Sequence, residues 1–593
     1  MASESFARLA RLSRRPGFAL LRDGEAWRLY SNPVKILLPA DSESLQQSLA
    51  RVEDHVSAGG EAVGLLSYEA GYALEPRLQR LLPRSRQQLG WFALYDGSAL
   101  QQDIAFPSDS GRSLLRTSRL SINRKRYYAK IAAIRRFIEA GDVYQINFTT
   151  RVNLRSILRA WDLFATLFTR HPAPYAAFVN TGAEQIVSLS PEMFFELDNG
   201  RIVVRPMKGT APRGKLLEDD ILAAGQLRAS EKNRAENVMI VDLMRNDLGR
   251  ICRTGSVRTT SLFDVERYPS VWQMTSTIEG KLKTGCDFES IVRALFPSGS
   301  VTGAPKIRAM ELIAQLEGSS RGAYTGAIGY FAREHARFNV AIRTIELRGK
   351  NGVMGVGGGI THDSSAAAEW DECRWKAAFL LQSEPEFEIV ETLYWKDKYR
   401  FLRAHLKRMK DSARYYGFRF SEAAARAALR KAATPFPRRA MRVRMTLSRK
   451  GDFQVTHADY NVQRFGRVGI SRLQVSSEDR FLYHKTTNRV AYDRELSAAR
   501  KRGLDDVLFF NERGELTEGT IHNVFLVKNG VWQTPPVAGG LLPGIFRAHI
   551  LKTNKNSREA ILTLSDLKKA DAIYLCNSVR GLFEVTLQRS GSS

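Results

Sequence analysis

The sequence predicts a two-part chain whose first part has an α+β fold. The chain has 593 residues, more than one hydrophobic core usually organises, and 44% of them are hydrophobic, as in globular enzymes. Segments with helical spacing of apolar residues occur together with segments in which apolar and polar residues alternate. A short polar stretch with a proline, residues 382–386, separates a predicted helix from a predicted strand. We therefore expect an N-terminal part over residues 1–120, a catalytic domain over 121–382 and a second catalytic domain over 387–593.

The individual elements follow from periodicity. Apolar residues recur at helical spacing over Ile122–Ala140, and Gly141 is suited to end that helix. Pro305 suits the first turn of a helix over Ala304–Leu316. Four further elements are predicted by the same two patterns; they are the helix Glu231–Leu248 and the strands Val143–Leu154, Phe338–Leu347 and, in the second part, Phe387–Leu393.

The net charge of +27 leaves several functions open. The lysines and arginines are scattered through amphipathic helices, as at Arg403, Lys407 and Arg414, and form no basic tail. A nucleic-acid site would explain the charge, but a positive field that attracts small dianions, or an acidic protein partner, explains it equally well. The pattern of the motifs described below favours a small dianion, so we expect no nucleic-acid partner.

The sequence gives no sign of a membrane or secreted protein. No stretch approaches the roughly twenty apolar residues that cross a bilayer, and Met1–Gly17 lacks the apolar region of a secretory signal. The cysteines are far apart and form no CxxC pair; they are Cys252, Cys286, Cys373 and Cys576. We therefore expect reduced structural thiols without zinc, in a cytoplasmic protein with no membrane partner.

Glu192 and Lys208 form the first candidate catalytic pair. Glu192 lies in the motif SPEMFFE and Lys208 in the motif RPMKGTAPR. A strand with a carboxylate, a turn and a strand with a lysine place an acid near a nucleophile. The lysine must lose its proton to act as a nucleophile, which nearby cations such as Arg205 and Arg213, or a desolvated pocket, would favour.

Carboxylates on two predicted helices form a candidate metal site. Glu236 falls on the helix predicted from residue 231, and Glu369 and Glu372 fall one turn apart on a later helix. Carboxylates from separate helices, completed by substrate oxygens and waters, suit Mg²⁺. Close by in sequence, Gly357–Gly359 follow a strand and precede a helix, where a turn would present successive N–H groups to an anion.

Four motifs in order resemble the chorismate-utilising enzymes. After the two stretches that carry Glu192 and Lys208 come AENVMIVDLMRNDLGR, then PSGSVTGAPKIRAMELI with RGAYTGAIGY, then GVGGGITHDSSAAAEWDECRWKA. The resemblance implies a large β-sandwich with outer helices. Lys208 looks like the lysine of the aminodeoxychorismate synthases, at a position where anthranilate-forming relatives tend to carry a small residue.

The same resemblance implies a role for each site residue. Lys208 attacks C2 of chorismate, Glu192 protonates the departing C4 hydroxyl, and ammonia then enters at C4 and expels the lysine. Glu236 and Glu372 hold Mg²⁺. The remaining contacts that the resemblance implies are Gly357 and Gly359 with the ring carboxylate, Arg343 with the enolpyruvyl carboxylate, and Tyr324 and Thr302 with the pocket wall.

Two features concern the substrate and the nitrogen source. Gln273 stands where many family members have a histidine, which leaves the polar role of that position open. The chain has no cysteine in a GxCxG-like turn with following histidines, so no glutaminase domain is expected within it. The implied partner is a separate glutamine amidotransferase subunit, with free ammonia as a substitute.

After Phe387 the chain resembles the class IV pyridoxal-phosphate (PLP) enzymes. The motifs are HLKRMKDSA, YHKTTNRVAYD, LTEGTIHNVFLV and LLPGIFR. A PLP enzyme needs a lysine at the cofactor's aldehyde and a carboxylate at its pyridine nitrogen, and Lys485 and Glu518 occupy the matching positions. Arg408 corresponds to the phosphate-binding arginine, and Gly544 and Ile545, opening a helix, would offer N–H groups to the phosphate. The resemblance implies a two-subdomain α/β fold and, as in many relatives, a homodimer through this domain.

Together the resemblances imply a bifunctional enzyme of folate precursor synthesis. The first domain would aminate chorismate at C4 to 4-amino-4-deoxychorismate, and the second would eliminate pyruvate from it to give 4-aminobenzoate. The motifs of the second domain do not decide between a lyase and a transaminase. Two alternatives are an anthranilate synthase component I fused to a PLP aminotransferase, and a nucleic-acid-binding protein on a decayed enzyme scaffold.

Overall fold

The computed structural model describes residues 2–82, 88–101, 104, 106, 113–268, 271–378, 386–434, 436, 439–460 and 466–588. The chain divides into two compact units. The N-terminal unit consists of Met1–Ala211 and Gly225–Pro385, and the C-terminal unit consists of Pro212–Ala224 and Glu386–Ser593. The stretch predicted to separate two domains, residues 382–386, lies outside the described residues except for Glu386.

Two ten-stranded sheets are described in the N-terminal unit. Neighbouring strands such as Asn351–Ile360 and Gln145–Ser156 run antiparallel. The first sheet has the strand order Gly303–Ala304, Gln145–Ser156, Asn351–Ile360, Thr344–Arg348, Gln185–Ser190, Tyr175–Asn180, Phe18–Asp23, Ala26–Tyr30, Ala99–Gln101, with Leu115–Leu120 beside Gln145–Ser156. The second has the order Met207–Pro212, Val271–Lys281, Arg201–Val204, Met193–Asp198, His335–Val340, Ala327–Ala332, Glu61–Leu66, Gly90–Tyr95, Lys35–Leu37, with Arg258–Arg267 beside Val271–Lys281.

The two sheets pack face to face and the helices cover their outer faces. One buried cluster joins side chains of both sheets, such as Leu21 and Val179 of the first with Val63 and Ile328 of the second. A larger cluster lies between each sheet and the helices that cover it. The described helices of this unit are Ala2–Leu12, Ser42–Ser57, Ala70–Leu74, Arg124–Glu139, Ala160–Arg170, Glu231–Ile251, Phe288–Leu295, Lys306–Glu317 and Ala366–Ala378, with Leu217–Ala229 shared between the units. This arrangement confirms the predicted β-sandwich with outer helices.

The helices predicted from periodicity form within a few residues of the expected bounds, because their ends carry ordinary capping groups. The Asn123 side chain accepts a hydrogen bond from the Arg126 N–H at the start of Arg124–Glu139, and Gly141 follows its end with φ +77°. The Ser230 side chain caps Glu231–Ile251 in the same way. Pro305 is the residue immediately before Lys306–Glu317.

The prediction of one strand over Phe338–Leu347 is wrong. The strand His335–Val340 belongs to the second sheet and Thr344–Arg348 belongs to the first. Between them Arg343 has φ +50°, in the left-handed region that strands do not contain. Both strands bury apolar side chains, so the alternation of apolar and polar residues continues across the crossing. The sequence pattern therefore does not indicate that the chain passes from one sheet to the other.

The C-terminal unit contains two subdomains, as the resemblance implied. One is the sheet Lys398–Tyr399, Ile389–Lys396, Met441–Leu447, Phe453–Asp459 with the helices Leu402–Tyr416 and Glu422–Ala433. The other is the sheet Leu516–Gly519, Asp506–Asn511, Arg467–Val475, Gly581–Leu587, Ala572–Asn577, Asn523–Lys528, Val531–Thr534, Ser557–Glu559 with the helices Val490–Lys501, Ile545–Thr553 and Leu564–Lys568. Each subdomain has its own buried apolar cluster.

The remaining predictions about the chain as a whole concern its thiols and its helices. All four cysteines are free thiols, and three of them are buried. Within the described part of the chain, every helix is too short or too polar to cross a membrane.

Candidate active sites

The first candidate site contains the carboxyl group of Glu192, which is buried. Glu192 immediately precedes the strand Met193–Asp198 and is 4% exposed. Its Oε1 has no hydrogen-bond partner among the described residues. Burial raises the pKa of Glu192 to about 7, although Ser300 and Lys208 act in the opposite direction. A carboxyl with this pKa can hold and release a proton near neutral pH, as a general acid must.

The amine of Lys208 is driven towards its neutral form. Lys208 lies on the edge strand Met207–Pro212. Burial lowers the pKa of Lys208 and outweighs the neighbouring carboxylates Glu192 and Glu236, while Lys376 lowers it further. The structure therefore brings the predicted nucleophile and acid together in a desolvated environment.

Of the two causes proposed for the lowered pKa of Lys208, desolvation is the larger, and the cation that adds to it is neither Arg205 nor Arg213. Arg205 forms an ion pair with Glu266, and Arg213 forms one with Asp220 at 2.6 Å. The cation that contributes most to lowering the pKa of Lys208 is Lys376. The sequence did not indicate Lys376, because it lies far along the chain on the helix Ala366–Ala378.

The glycines Gly357–Gly359 lie within a strand, so the prediction of a turn is wrong. They belong to Asn351–Ile360 and pair with Thr149, Phe148 and Asn147. A methyl group on Gly357 would stand 2.2 Å from the carbonyl oxygen of Phe148. Glycine is required here by the close approach of neighbouring atoms, and the anion-binding turn does not exist.

A fully buried glutamine that the sequence analysis missed adjoins this strand. A methyl group on Gly359 would stand 2.7 Å from Nε2 of Gln145 and 2.9 Å from Nζ of Lys208. The Gln145 side chain is 0% exposed, and neither Oε1 nor Nε2 has a hydrogen-bond partner among the described residues. Each such group costs about 1–3 kcal/mol when it is left unsatisfied.

The carboxylates of two helices approach the same place. Glu236 lies on Glu231–Ile251, and Glu369 and Glu372 lie on Ala366–Ala378. Burial raises the pKa of Glu369, and the negative charges of Glu372 and Glu236 raise it further. A methyl group on Gly358 would stand 3.1 Å from Oε2 of Glu369, so these carboxylates lie against the glycine strand.

The predicted pair Glu236 and Glu372 fits Mg²⁺. Among the described residues, no cluster of three or more His, Cys, Asp or Glu side chains is arranged to hold a metal. Mg²⁺ often takes only one or two protein carboxylates and fills its other positions with water and substrate oxygens. The negative charges of neighbouring carboxylates repel one another, and a bound cation would reduce that repulsion. Here Lys376 provides part of that reduction, with Nζ 2.7 Å from Oε1 of Glu372.

The remaining predicted contacts lie on three separate segments of the unit. Thr302 is 0% exposed and its hydroxyl donates to the Ser298 carbonyl at 3.2 Å, directly before the two-residue strand that pairs with Gln145. Tyr324 is 8% exposed and packs against Gly355, because a methyl group on Gly355 would stand only 1.9 Å from the Tyr324 ring. Arg343 lies in the crossing between the two sheets, and burial lowers its pKa.

Gln273 lies next to the strand of Lys208. Its Oε1 accepts a hydrogen bond from the Thr210 hydroxyl at 2.9 Å, two residues after Lys208. At this position the glutamine therefore acts as a hydrogen-bond acceptor for the lysine strand.

The second candidate site is a cavity of about 640 Å³ in the C-terminal unit. All five residues predicted to hold a cofactor line it; they are Lys485, Glu518, Arg408, Gly544 and Ile545. The cavity has the size of ordinary small-molecule and cofactor sites.

Lys485 and Glu518 are ionisable groups of the cavity wall whose pKa values are shifted in opposite directions. Burial lowers the pKa of Lys485 to about 8, and the cations Arg489 and Arg408 lower it further. Burial raises the pKa of Glu518 to about 8, against the effect of Arg489 and of the Leu542 N–H. Glu518 Oε2 accepts from the Leu542 N–H at 3.2 Å, which holds the carboxyl in the cavity wall.

Arg408 is fixed as a permanent cation in the same wall. Its Nε and Nη2 donate to the two oxygens of Glu391, both at 2.8 Å, and its Nη1 donates to the Pro543 carbonyl at 3.1 Å. Burial alone would raise the pKa of Glu391, but Arg408 and His405 lower it to about 2. Gly544 is the N-terminal cap of Ile545–Thr553, so free N–H groups of that helix face the cavity region.

These residues fit PLP. A lysine whose pKa is lowered to about 8, a buried carboxyl, a fixed guanidinium and a helix N-terminus are groups that suit the cofactor's aldehyde, pyridine nitrogen and phosphate. His405 is buried on the cavity wall, and its Nε2 has no hydrogen-bond partner in the part of the chain that the structure describes, so a ligand can satisfy this group.

Comparison with known proteins identifies the family. The family model "chorismate binding enzyme" matches residues 19–382. The chain belongs to this family. The model "Amino-transferase class IV" matches residues 388–587, which confirms the second resemblance.

Individual relatives of this chorismate binding enzyme cover part of it. The aminodeoxychorismate synthase component 1 of Klebsiella aerogenes is 36% identical over 342 residues, which are 54% of this chain and 76% of that protein. That of Bacillus subtilis is 40% identical over 263 residues, 44% of this chain and 56% of that protein. The crystal structure of anthranilate synthase component I from Streptococcus pneumoniae covers 63% of this chain and 91% of its own, with 25% identity and a TM-score of 0.50. The chain thus spans about half the length of the Bacillus relative.

Several site residues of this chorismate binding enzyme had escaped the sequence analysis. Gln145 is one of them. The sequence feature that could have indicated it is an amide side chain at the start of a strand whose next residues are buried. In the second cavity, Arg442, Arg489 and Arg580 line the wall. Arg580 lies in the turn before Gly581–Leu587, a position that the two-fold alternation of a strand does not distinguish.

Proposed function

We propose that the chain converts chorismate to 4-aminobenzoate in two steps at two sites. The observation that carries the first step is the pairing of Lys208 with Glu192. Burial favours a neutral amine on one and a protonated carboxyl near neutral pH on the other, and these are the forms that a nucleophile and a general acid need.

The first step follows from these two groups. The Lys208 amine attacks C2 of chorismate, both ring double bonds shift (C1=C2 to C1=C6 and C5=C6 to C4=C5), and the C4 hydroxyl leaves as water with the proton of Glu192. Ammonia then adds at C4, both double bonds shift back, and the C2–N bond to Lys208 breaks. The product is 4-amino-4-deoxychorismate.

The proposed substrate is a dianion, and its contacts are those that the resemblance implies. Gly357 and Gly359 hold the ring carboxylate from within their strand and not from a turn, Arg343 holds the enolpyruvyl carboxylate, and Tyr324 and Thr302 shape the pocket. Mg²⁺ bound by Glu236 and Glu372 would neutralise negative charge on the substrate. The C4 position of amination, and not C2, is supported by the presence of a lysine at position 208.

The second step is supported by the cavity of the C-terminal unit. Bound PLP would supply the electron sink that stabilises a negative charge at C4 of the amine substrate. Lys485 would hold the cofactor's aldehyde and, once released from it, would accept the C4 proton of the substrate. Glu518 would hold the pyridine nitrogen, and Arg408 with Gly544 and Ile545 would hold the phosphate. Loss of pyruvate makes the ring aromatic, which favours elimination over transamination.

The partners follow from the chemistry of the two steps. A separate glutamine amidotransferase subunit supplies ammonia, and free ammonium replaces it in vitro. The product is a folate precursor made in the cytoplasm, and the PLP domain forms a homodimer.

A product assay tests the proposal. The purified chain receives chorismate, Mg²⁺, PLP and ammonium, and the products are separated against 2- and 4-aminobenzoate standards. We expect 4-aminobenzoate without any added lyase. Formation of 2-aminobenzoate would favour an anthranilate synthase, and accumulation of 4-amino-4-deoxychorismate would reassign the second domain to transamination.

A further inference from the structure

Gln145 is an unusual residue for a protein interior. It is completely buried, and both polar atoms of its amide lack a partner among the described residues. Several other buried amides of the same unit are satisfied. Asn339, for example, donates from Nδ2 to the Tyr175 carbonyl at 2.8 Å and accepts at Oδ1 from the Ile328 N–H at 3.2 Å. An amide left unpaired in such a place needs a partner that the described part of the folded chain does not provide.

The position of Gln145 indicates what that partner is. The side chain approaches the same side of Gly359 as the Lys208 amine, as the 2.7 and 2.9 Å distances to a methyl group on Gly359 show. Its backbone is held firmly, because Gln145 pairs with Ala304 and adjoins the strand of the three glycines. The amide is therefore presented on a rigid strand beside the amine.

We infer that Gln145 positions the Lys208 amine for attack on the substrate. This inference rests on the proposed function of the first site. With the amide turned so that Oε1, in place of Nε2, faces Lys208, the oxygen accepts one N–H of the neutral amine, which turns the nitrogen lone pair towards the ring. The amide N–H donates to an oxygen of the bound substrate. Both unpartnered atoms are then satisfied only in the substrate complex.

The distinguishing property of such a residue is that its removal should not weaken the fold. Gln145→Leu has a similar size and removes two desolvated polar atoms. We expect the midpoint of thermal unfolding of the unliganded chain to stay the same or rise, while chorismate consumption falls about 100-fold with the KM for chorismate changed less than about 3-fold. Asn339→Leu is the matched control, because it breaks two hydrogen bonds; its unfolding midpoint should fall.

A second variant tests the contact with the amine directly and does not depend on turnover. Gln145→Glu is nearly isosteric and places an anion beside Lys208. We expect the pH at which Lys208 becomes reactive towards acetic anhydride, followed by mass spectrometry of its peptide, to rise by about one unit or more. An unchanged labelling pH would overturn the inference.

The outcomes separate this inference from the proposed function. If Gln145→Leu lowers the unfolding midpoint as much as Asn339→Leu, or keeps more than half of the chorismate consumption, Gln145 is a structural residue and the inference is wrong. If the wild-type chain forms no aminated product but Gln145→Glu still raises the labelling pH of Lys208, the proposed function fails and the contact stands.

Discussion

Lys208 is the residue on which the proposed chemistry depends most. We expect Lys208→Met to lower the rate of chorismate amination at C4 by about 10³-fold or more, because methionine has no amine to form the bond to C2. The measurement is the formation of 4-amino-4-deoxychorismate and 4-aminobenzoate with ammonium as nitrogen source. Lys281→Met removes an exposed lysine at the end of the strand Val271–Lys281 and should leave the rate unchanged. Full activity of Lys208→Met would show that Lys208 is not the nucleophile.

Glu192 sets the alkaline side of the pH profile. Its pKa of about 7, against an ordinary 4.5, means that the protonated acid is lost as the pH rises through about 7. We expect the amination rate to fall over that range, and Glu192→Gln to lower the rate by about 10²–10⁴-fold and to abolish this fall. Glu196→Gln, on the same strand and 40% exposed at its side chain, is the control.

The raised pKa of Glu192 also makes the free energy of unfolding depend on pH in a defined direction. Since the pKa of Glu192 is higher in the folded chain than in the unfolded one, its contribution is fully present below the ordinary value of 4.5 and is lost as the pH rises through about 7. In Glu192→Gln, unfolding should therefore depend less on pH between 4.5 and 7. An identical pH dependence in variant and wild type would contradict the buried state of this carboxyl.

At the scale of single elements, the glycine strand Asn351–Ile360 determines how closely the site can assemble. Gly359→Ala would place a methyl group 2.7 Å from Gln145 and 2.9 Å from Lys208, so both side chains would have to move. We expect chorismate amination to fall about 100-fold, because displacements of about 1 Å have effects of this size. Gly249→Ala, in the helix Glu231–Ile251 with open space around it, should keep full activity and gain up to about 1 kcal/mol of stability. Equal activity of the two variants would argue against the close approach.

Elements were predicted from the sequence where one face is buried and the ends are capped. The helices around Ile131 and Ile240 formed near their expected bounds for this reason. The strand over Phe338–Leu347 and the turn over Gly357–Gly359 were mispredicted for a common reason. Pairing between distant strands decided their conformation, and neither alternation nor a run of glycines contains that information.

At the scale of the whole molecule, the two sites should be separable by mutation. We expect Lys485→Ala to keep chorismate consumption but to stop at 4-amino-4-deoxychorismate, and Lys208→Met to convert added 4-amino-4-deoxychorismate at the normal rate. Both products can be followed by chromatography. Lys552→Ala, an exposed lysine of the same unit, should leave both steps intact. Loss of the first step in Lys485→Ala would show that the sites depend on each other.

The sequence by itself determined which residue types the chain supplies for the chemistry and roughly where helices begin and end. Lys208, Glu192, Lys485 and Glu518 were recognised because motifs and local periodicity are properties of neighbouring residues. Tertiary structure alone decided how these groups behave. Burial shifts the pKa of Glu192 and of Lys208, Lys376 is the cation that lowers the pKa of Lys208, and Gln145 approaches Gly359 on the same side as the Lys208 amine from a distant strand. The reason is physical: desolvation and proximity arise only when segments far apart in the chain are packed together.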